Sequence, residues 1–486
     1  MDSNILEIKQ LQTYFGKKDN LVKAVDGVSF NLAKGETLGI VGESGSGKSV
    51  TSLSIMRLID EPPGYIEGGE IIYNDGEKKI DLLSLPENEL RTYRGNEISM
   101  IFQEPMTSLN PVHRAGHQVR EGILTHTDMN KVEAKEKVLA LFEEVQLKDP
   151  ERVFRSYPHE LSGGQKQRVM IAMALACNPK VLIADEPTTA LDVTVQKAIL
   201  SLLKEAKDKN DLSLIFISHD LGVIAEVADR VAVMYKGKIV EEGKVADIFK
   251  NPQHAYTKGL ISCRPPLNFK TERLRVIDDF MSGTGAEDIR FLKLNAEQIQ
   301  ARKDLVMSAE KLLEVKNLNT WYPTKKNWFG KPLEFVKAVN DVSFDVRKGE
   351  TLGLVGESGC GKTTLGRTIV KLEEAYSGSI LYKGQDLLKI DASQLKQMRK
   401  KIQIIFQDPY SSLNPRMQIG KAIQEPIAVH GLFDKDQQRK ERVIDLLETV
   451  GLEADHYSRY PHQFSGGQRQ RICIARALGI EPEFII

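Results

Sequence analysis

Two stretches of the chain set glycines, a lysine and a hydroxyl at the spacing G-x-x-x-x-G-K-[ST]. The first is Gly42, Glu43, Ser44, Gly45, Ser46, Gly47, Lys48 and Ser49; the second is Gly356, Glu357, Ser358, Gly359, Cys360, Gly361, Lys362 and Thr363. Glycines let backbone N–H groups close around a phosphate, and a helix that follows adds the positive end of its dipole. The lysine reaches the β- and γ-phosphates of a nucleotide, and the hydroxyl of Ser49 or Thr363 can ligate Mg²⁺. A single match could be a glycine turn with a chance lysine. Two matches, each after an apolar stretch (TLGIVG and TLGLVG), point to nucleotide binding.

Acidic residues follow at a useful distance. LIADEP places Asp185 and Glu186 at the end of an apolar strand, about 140 residues after the first phosphate loop. An acid there can hold Mg²⁺ through water, and its neighbour can polarise an attacking water. A third element occurs twice: LSGGQ, with Ser162, Gly163, Gly164 and Gln165, and FSGGQ, with Ser465, Gly466, Gly467 and Gln468. A Ser-Gly-Gly turn at a helix start caps that helix and forms a second anion site at its N-terminus. ISHD then closes an apolar run at His219.

The elements that must position these residues are legible from their patterns. TLGIVG reads as a strand ending in a glycine turn, and KSVTSLSIMRLI as the helix after it. KVLIAD and LSLIFISHD read as short buried strands, and VQKAILSLLKEAKDK puts Val195, Ile199, Leu202 and Ala206 on one helical face. Strands alternating with helices predict an α/β fold built on a mostly parallel sheet. The whole unit is repeated. Ala24–Ser49 and Ala338–Thr363 agree at 18 of 26 positions, IFQEPMTSLNP returns as IFQDPYSSLNP, and YPHELSGGQKQR returns as YPHQFSGGQRQR. The expected division is residues 1–262 as the first copy, 263–311 as a domain tail and linker, and 312–486 as the second copy. Within the linker, AEQIQARKDLVMSAEKLL mixes charge and apolar residues at helical spacing and predicts a surface helix.

Composition sets limits on what this chain does. At 486 residues it exceeds one ordinary core, and 41% hydrophobic with 28% charged residues is the balance of a globular protein. Lys+Arg and Asp+Glu both number 67, so no global field draws the chain to nucleic acid or anionic lipid. No apolar run is long enough to span a bilayer, and the N-terminal residues lack the pattern of a signal peptide. Cys177, Cys263, Cys360 and Cys473 are far apart, which predicts reduced thiols rather than a metal cluster or disulfides. His113 and His117, at i and i+4, have no third ligand beside them and are expected in a surface loop. His159 and His462 are expected to pack or cap before the two Ser-Gly-Gly turns.

Leu161–Gln165 together with His219 resembles the ATPase domain of ABC transporters, and the resemblance runs over essentially the whole chain. It implies P-loop NTPase domains of the ABC type, with a helical signature subdomain, ATP and Mg²⁺ as ligands, and a signature that contacts ATP held by the opposite copy. It also implies roles at matching positions. Gln103 and Gln407 resemble the residue that senses Mg²⁺ and the membrane partner, Glu186 the general base, Asp192 in TALD the aspartate of the family's D-loop, and His219 the histidine that steadies the γ-phosphate and the attacking water. Phe15 and Tyr322 fall where the family stacks an aromatic ring on adenine. Ser49, Gln103, Asp185, Thr363 and Gln407 are the implied Mg²⁺ residues.

SLNP after Gln103 and Gln407, and NPQHAYTKGL at Asn251–Leu260, resemble the oligopeptide/dipeptide/nickel importer ATPases, here fused as two copies. That implies a peripheral ATPase on the cytoplasmic face of the membrane, with two permease subunits and an extracytoplasmic solute-binding protein as partners. Only Cys263 stands where such ATPases often carry a cysteine cluster, so no iron–sulfur centre is expected. The alternative is a soluble ABC-type ATPase acting on ribosomes or DNA; it calls for a longer charged linker or zinc cysteines. Aligned on the first copy, the second copy's two acids would fall two and three residues past Ile486. One complete catalytic set is therefore expected in this sequence, and the sequence itself is expected to be part of a longer polypeptide.

Overall fold

The computed structural model describes residues 4–16, 21–103, 108–189, 191–266, 268–282, 293–326, 328 and 332–486. The chain divides into two units, Met1–Lys293 and Leu294–Ile486.

In the first unit, β1 (Asn4–Phe15), β2 (Val22–Ala33), β4 (Gly64–Asn74) and β5 (Lys79–Asp81) form an antiparallel sheet in the order β2-β1-β4-β5. Buried and exposed positions are interleaved along β1, as one solvated face requires. The second sheet holds β3 (Thr37–Val41), β6 (Ile98–Ile101), β7 (Val181–Asp185), β8 (Ser213–Ser218), β9 (Arg230–Tyr235) and β10 (Lys238–Lys244). Its order is β10-β9-β3-β8-β7-β6, parallel from β9 to β6, with β10 antiparallel at the edge. Every residue of β3, β6, β7 and β8 is buried, which is why these strands read as unbroken apolar runs rather than alternations. Ile199, Leu202 and Ala206 of the helix Val193–Asn210 are buried, and Val195 packs at the margin of that core.

The second unit is built differently from its sequence repeat. Its antiparallel sheet, β12-β11-β13-β14, matches that of the first unit, with β11 at Lys311–Lys326, β12 at Pro332–Arg347, β13 at Ser377–Tyr382 and β14 at Gln385–Asp386. The expected strand over TLGLVG does not form: residues 351–357 carry no strand pairing, and Leu354 and Val355 are 53% and 90% exposed. Their counterparts Ile40 and Val41 are 1% and 0% exposed. In the first unit β8 and β9 pair with that strand on either side. β16 (Phe484–Ile485) pairs in parallel with β15 (Ile402–Gln403).

Two further expectations change in detail. The linker helix covers Ala296–Ser308 with no buried residue, and Lys311 onward belongs to β11 instead. His117 lies on a helix, Ala115–His126, rather than in a loop, and stands edge-on to Phe154 at 5.5 Å. His159 and His462 stack on Tyr157 and Tyr460 at 5.7 and 5.9 Å, as packing residues.

Candidate nucleotide site

Four neighbouring strands of the parallel sheet, β3, β8, β7 and β6, end on the same side and carry the predicted chemistry there. The phosphate loop leaves β3, His219 follows β8, Asp185 ends β7 with Glu186 next, and Gln103 lies just past β6. Ligands of open α/β sheets bind at these carboxyl ends, because the loops there are free to vary while the sheet holds their roots.

The loop is shaped by its glycines. Gly47 has φ 104°, and a Cβ on it would collide with the Ala24 carbonyl, so only glycine fits. The helix Lys48–Ile55 starts at once after it. Lys48 is buried, and its ammonium donates to the carbonyls of Gly42 (2.7 Å) and Glu43 (2.9 Å). Burial lowers its pKa, against the pull of the Glu186 and Asp185 charges. An ammonium has three donors, and these bonds use two. Glu43, Ser44 and Gly45 are exposed, and a Cβ on Gly45 would meet nothing within 4 Å, so the space over the loop is open to a phosphate.

Ser49 donates to Asp185 across 3.1 Å. Burial pushes the Asp185 carboxyl up to about 6; the Ser49 hydrogen bond opposes this and the Glu186 charge adds to it. A carboxylate so poorly accommodated as an anion, beside a hydroxyl, is a hard-oxygen pair that a small divalent cation would satisfy.

Glu186 is the focus of the site. Gln103 (3.2 Å), Thr189 (2.8 Å) and the ring Nδ1 of His219 (3.0 Å) all meet one of its carboxylate oxygens. Burial raises its pKa, but the bonds from His219 and Thr189 prevail and hold the carboxyl below its ordinary value. The same bond raises His219, against burial. Glu186 sits at φ 48°, a left-handed conformation uncommon for a non-glycine residue, and its N–H is held by the Ile217 carbonyl at 3.0 Å.

The remaining predicted residues are spread more widely. Asp192 caps the helix Val193–Asn210 by accepting the Val195 N–H at 2.9 Å. Phe15 is half-buried at the end of β1, and Tyr322 is exposed on β11. Residues 104–107 of the segment after Gln103 lie outside the described residues, as does position 190. Ser162 and Gln165 form a reciprocal capping box on the helix Gly163–Leu175, and Ser465 and Gln468 do the same on Gly466–Leu478. In the second unit the loop Gly356–Lys362 repeats the first: Gly361 has φ 100°, and Lys362 donates to the carbonyls of Gly356 (2.6 Å) and Glu357 (2.7 Å). Thr363 and Gln407 are exposed. The four cysteines are free thiols.

Two contacts were not foreseen. Thr189 has no sequence signal beyond its place in EPTT. Tyr256, within NPQHAYTKGL, accepts the Glu43 N–H at 2.8 Å and so reaches the phosphate loop from a segment noted only as a family mark.

The family model for the ABC transporter matches residues 25–189 and 339–486. The chain belongs to the ABC transporter family. The chain is therefore an ABC-type ATPase that binds ATP, on the P-loop fold of that family. A second model, described as the oligopeptide/dipeptide transporter C-terminal region, matches residues 240–283. The chain is 45% identical to the glutathione import ATP-binding protein GsiA of Pectobacterium atrosepticum, over 100% of this chain and 77% of that protein. It is also 45% identical to the proteins of that name from Salmonella typhimurium and Escherichia coli O157:H7, over 99% of this chain and 76% of each. Among solved structures, the dimeric post-hydrolysis ATP-binding cassette MJ0796 bound to ADP and Pi is 29% identical, with TM-score 0.45, over 49% of this chain and 98% of that one.

Proposed function

We propose that this chain is the ATP-hydrolysing subunit of an importer for peptides or a related small solute. It acts peripherally on the cytoplasmic face of the membrane, on two permease subunits served by an extracytoplasmic solute-binding protein. Among the described residues no helix is long and apolar enough to cross a membrane, in keeping with transport carried out by partners. Relatives named for glutathione import, together with the oligopeptide/dipeptide region at 240–283, favour a small peptide cargo. The same region sets aside the ribosome or DNA reading. Residues 1–262 and 312–486 are taken as the two ATPase copies, joined through 263–311.

The observation that carries the mechanism is the convergence of Gln103, Thr189 and His219 on one oxygen of Glu186, beside Lys48 and Asp185. Residues Gly42–Lys48 hold the ATP phosphates, with the Lys48 ammonium as the fixed positive charge. Ser49, Gln103 and Asp185 are the residues that would hold Mg²⁺, which when bound neutralises charge on the β- and γ-phosphates. Glu186, ionised at neutral pH, accepts a proton from the attacking water. His219 turns that carboxylate and keeps a proton at the γ-phosphate side. Asp192 and the signature residues Ser162–Gln165 and Ser465–Gln468 bind nucleotide, as do Phe15 and Tyr322 at adenine. Gly356–Thr363 and Gln407 serve a second nucleotide.

Glu186→Gln in the full chain tests the assignment. It keeps the shape of the side chain and removes the base, so ATP should still bind while kcat falls by about 100-fold or more. Hydrolysis at the parental rate would remove Glu186 as base and the proposed chemistry with it.

A further inference from the structure

The C-terminal segment of the first unit reaches the nucleotide loop through one side chain. On β10 the Glu241 carboxylate accepts the N–H groups of Gln253 (2.7 Å) and His254 (3.0 Å), which clips the Asn-Pro-Gln-His turn onto the sheet edge. His254 then caps the helix Ala255–Ser262 by accepting the Tyr256 N–H at 3.1 Å. These contacts aim the Tyr256 ring inward. It is fully buried, packs on Tyr235 of β9 at 4.3 Å, and its hydroxyl accepts the Glu43 N–H at 2.8 Å. Burial pushes that phenol up to about 12, so it stays neutral across the working pH range.

Glu43 is the residue whose carbonyl accepts from Lys48, and that carbonyl also accepts the Ser46 N–H at 3.2 Å. Glu43 is thus held at both ends, by Tyr256 at its N–H and by Lys48 and Ser46 at its carbonyl. The same C-terminal segment touches the other side of the site: Arg264 donates to Asp220 at 2.6 Å, directly after His219, and Asp220 caps the helix Leu221–Val227.

We infer that Tyr256 is a positioning residue for ATP: by holding the Glu43 N–H it fixes the loop conformation in which the Lys48 ammonium faces the phosphates. The inference rests on the nucleotide-site reading above and gives the C-terminal segment a role within the ATPase cycle. A loop without this anchor samples other conformations, and ATP binding must then supply the ordering.

Tyr256→Phe removes the acceptor alone and leaves the ring against Tyr235. In the full chain, KM for ATP should rise about threefold to tenfold, the range of one hydrogen bond, with kcat changed less than about twofold. The rise in Tm on saturating ATP should shrink in the same variant. Tyr235→Phe is the packing control, and its KM should match the parent. A Tyr256→Phe protein with parental KM and a parental ATP-dependent Tm rise would overturn the inference, whether or not its nucleotide-free Tm falls. Glu186→Gln is assayed in parallel. If it still hydrolyses ATP, the site reading fails; if it is inactive and Tyr256→Phe keeps its KM, only the role of Tyr256 fails.

Discussion

The two phosphate loops have nearly the same sequence and the same local geometry, yet they live in different surroundings. Gly47 and Gly361 have φ of 104° and 100°, and each lysine donates to the two matching carbonyls of its own loop. Around the first loop, β3 is buried between β8 and β9, and Lys48 is buried close to Asp185 and Glu186. Around the second, residues 351–357 have no strand partner and Lys362 is half-exposed. The shape common to both loops is therefore written into glycine spacing and the lysine's own bonds, and the first loop is anchored in addition from outside by the Tyr256–Glu43 bond. The electrostatic character of the lysine is a tertiary property, created by the strands that bury it.

The largest effect that could break this contrast lies in the strands feeding the loops. Ile40→Ala removes a fully buried side chain and should cost the first unit about 2–5 kcal/mol. Leu354→Ala, its counterpart, should stay within about 0.5 kcal/mol, because its side chain is already half in water. Urea unfolding of the two variants measures both; equal losses would show that residues 351–355 are packed after all.

Next in size is the glycine at each loop. Gly47→Ala and Gly361→Ala both place a Cβ at positive φ against a carbonyl, and each should cost roughly 1–3 kcal/mol. Calorimetry on the pair measures both: a negligible cost at Gly361 alone would mean that the second loop is not set by its own residues.

The smallest effect concerns the Glu186–His219 pair of the first unit. His219 is raised above its ordinary value of 6.5, so its stabilisation is full below that pH and is lost as pH climbs through the raised value. Glu186 is lowered from 4.5, so its share is present above that pH and is lost as pH falls through the lowered value. The Tm difference between parent and His219→Ala, measured without nucleotide or divalent metal, should be widest between these limits and narrow toward alkaline pH. Because the imidazole is largely in solvent, the gain stays under about 1 kcal/mol. A difference that grows above neutrality would reverse the assigned charges.

Much of the site was legible because phosphate loops, Ser-Gly-Gly caps and strand-end acids are local patterns with fixed spacing. The capping boxes at Ser162 and Ser465 and the buried face of Val193–Asn210 follow from residue order alone. The Tyr256–Glu43 bond joins residues 213 positions apart, and Thr189 meets Glu186 only because of the turn after β7, so neither had a sequence signal of its own. The exposed strand segment at 351–355 was missed for a related reason: an apolar run announces a strand but does not say whether a neighbour is present to pair with it.

Residue order alone specifies the two phosphate loops, their need for glycine and the succession of motifs that places the chain in its family. These depend on backbone sterics and on the spacing of residues within each motif. It takes the packed fold to bury Lys48, to push Asp185 up to about 6, and to bring three donors together on Glu186. Burial and convergence require strands distant in the chain to lie side by side, and a free energy of desolvation exists only once they do.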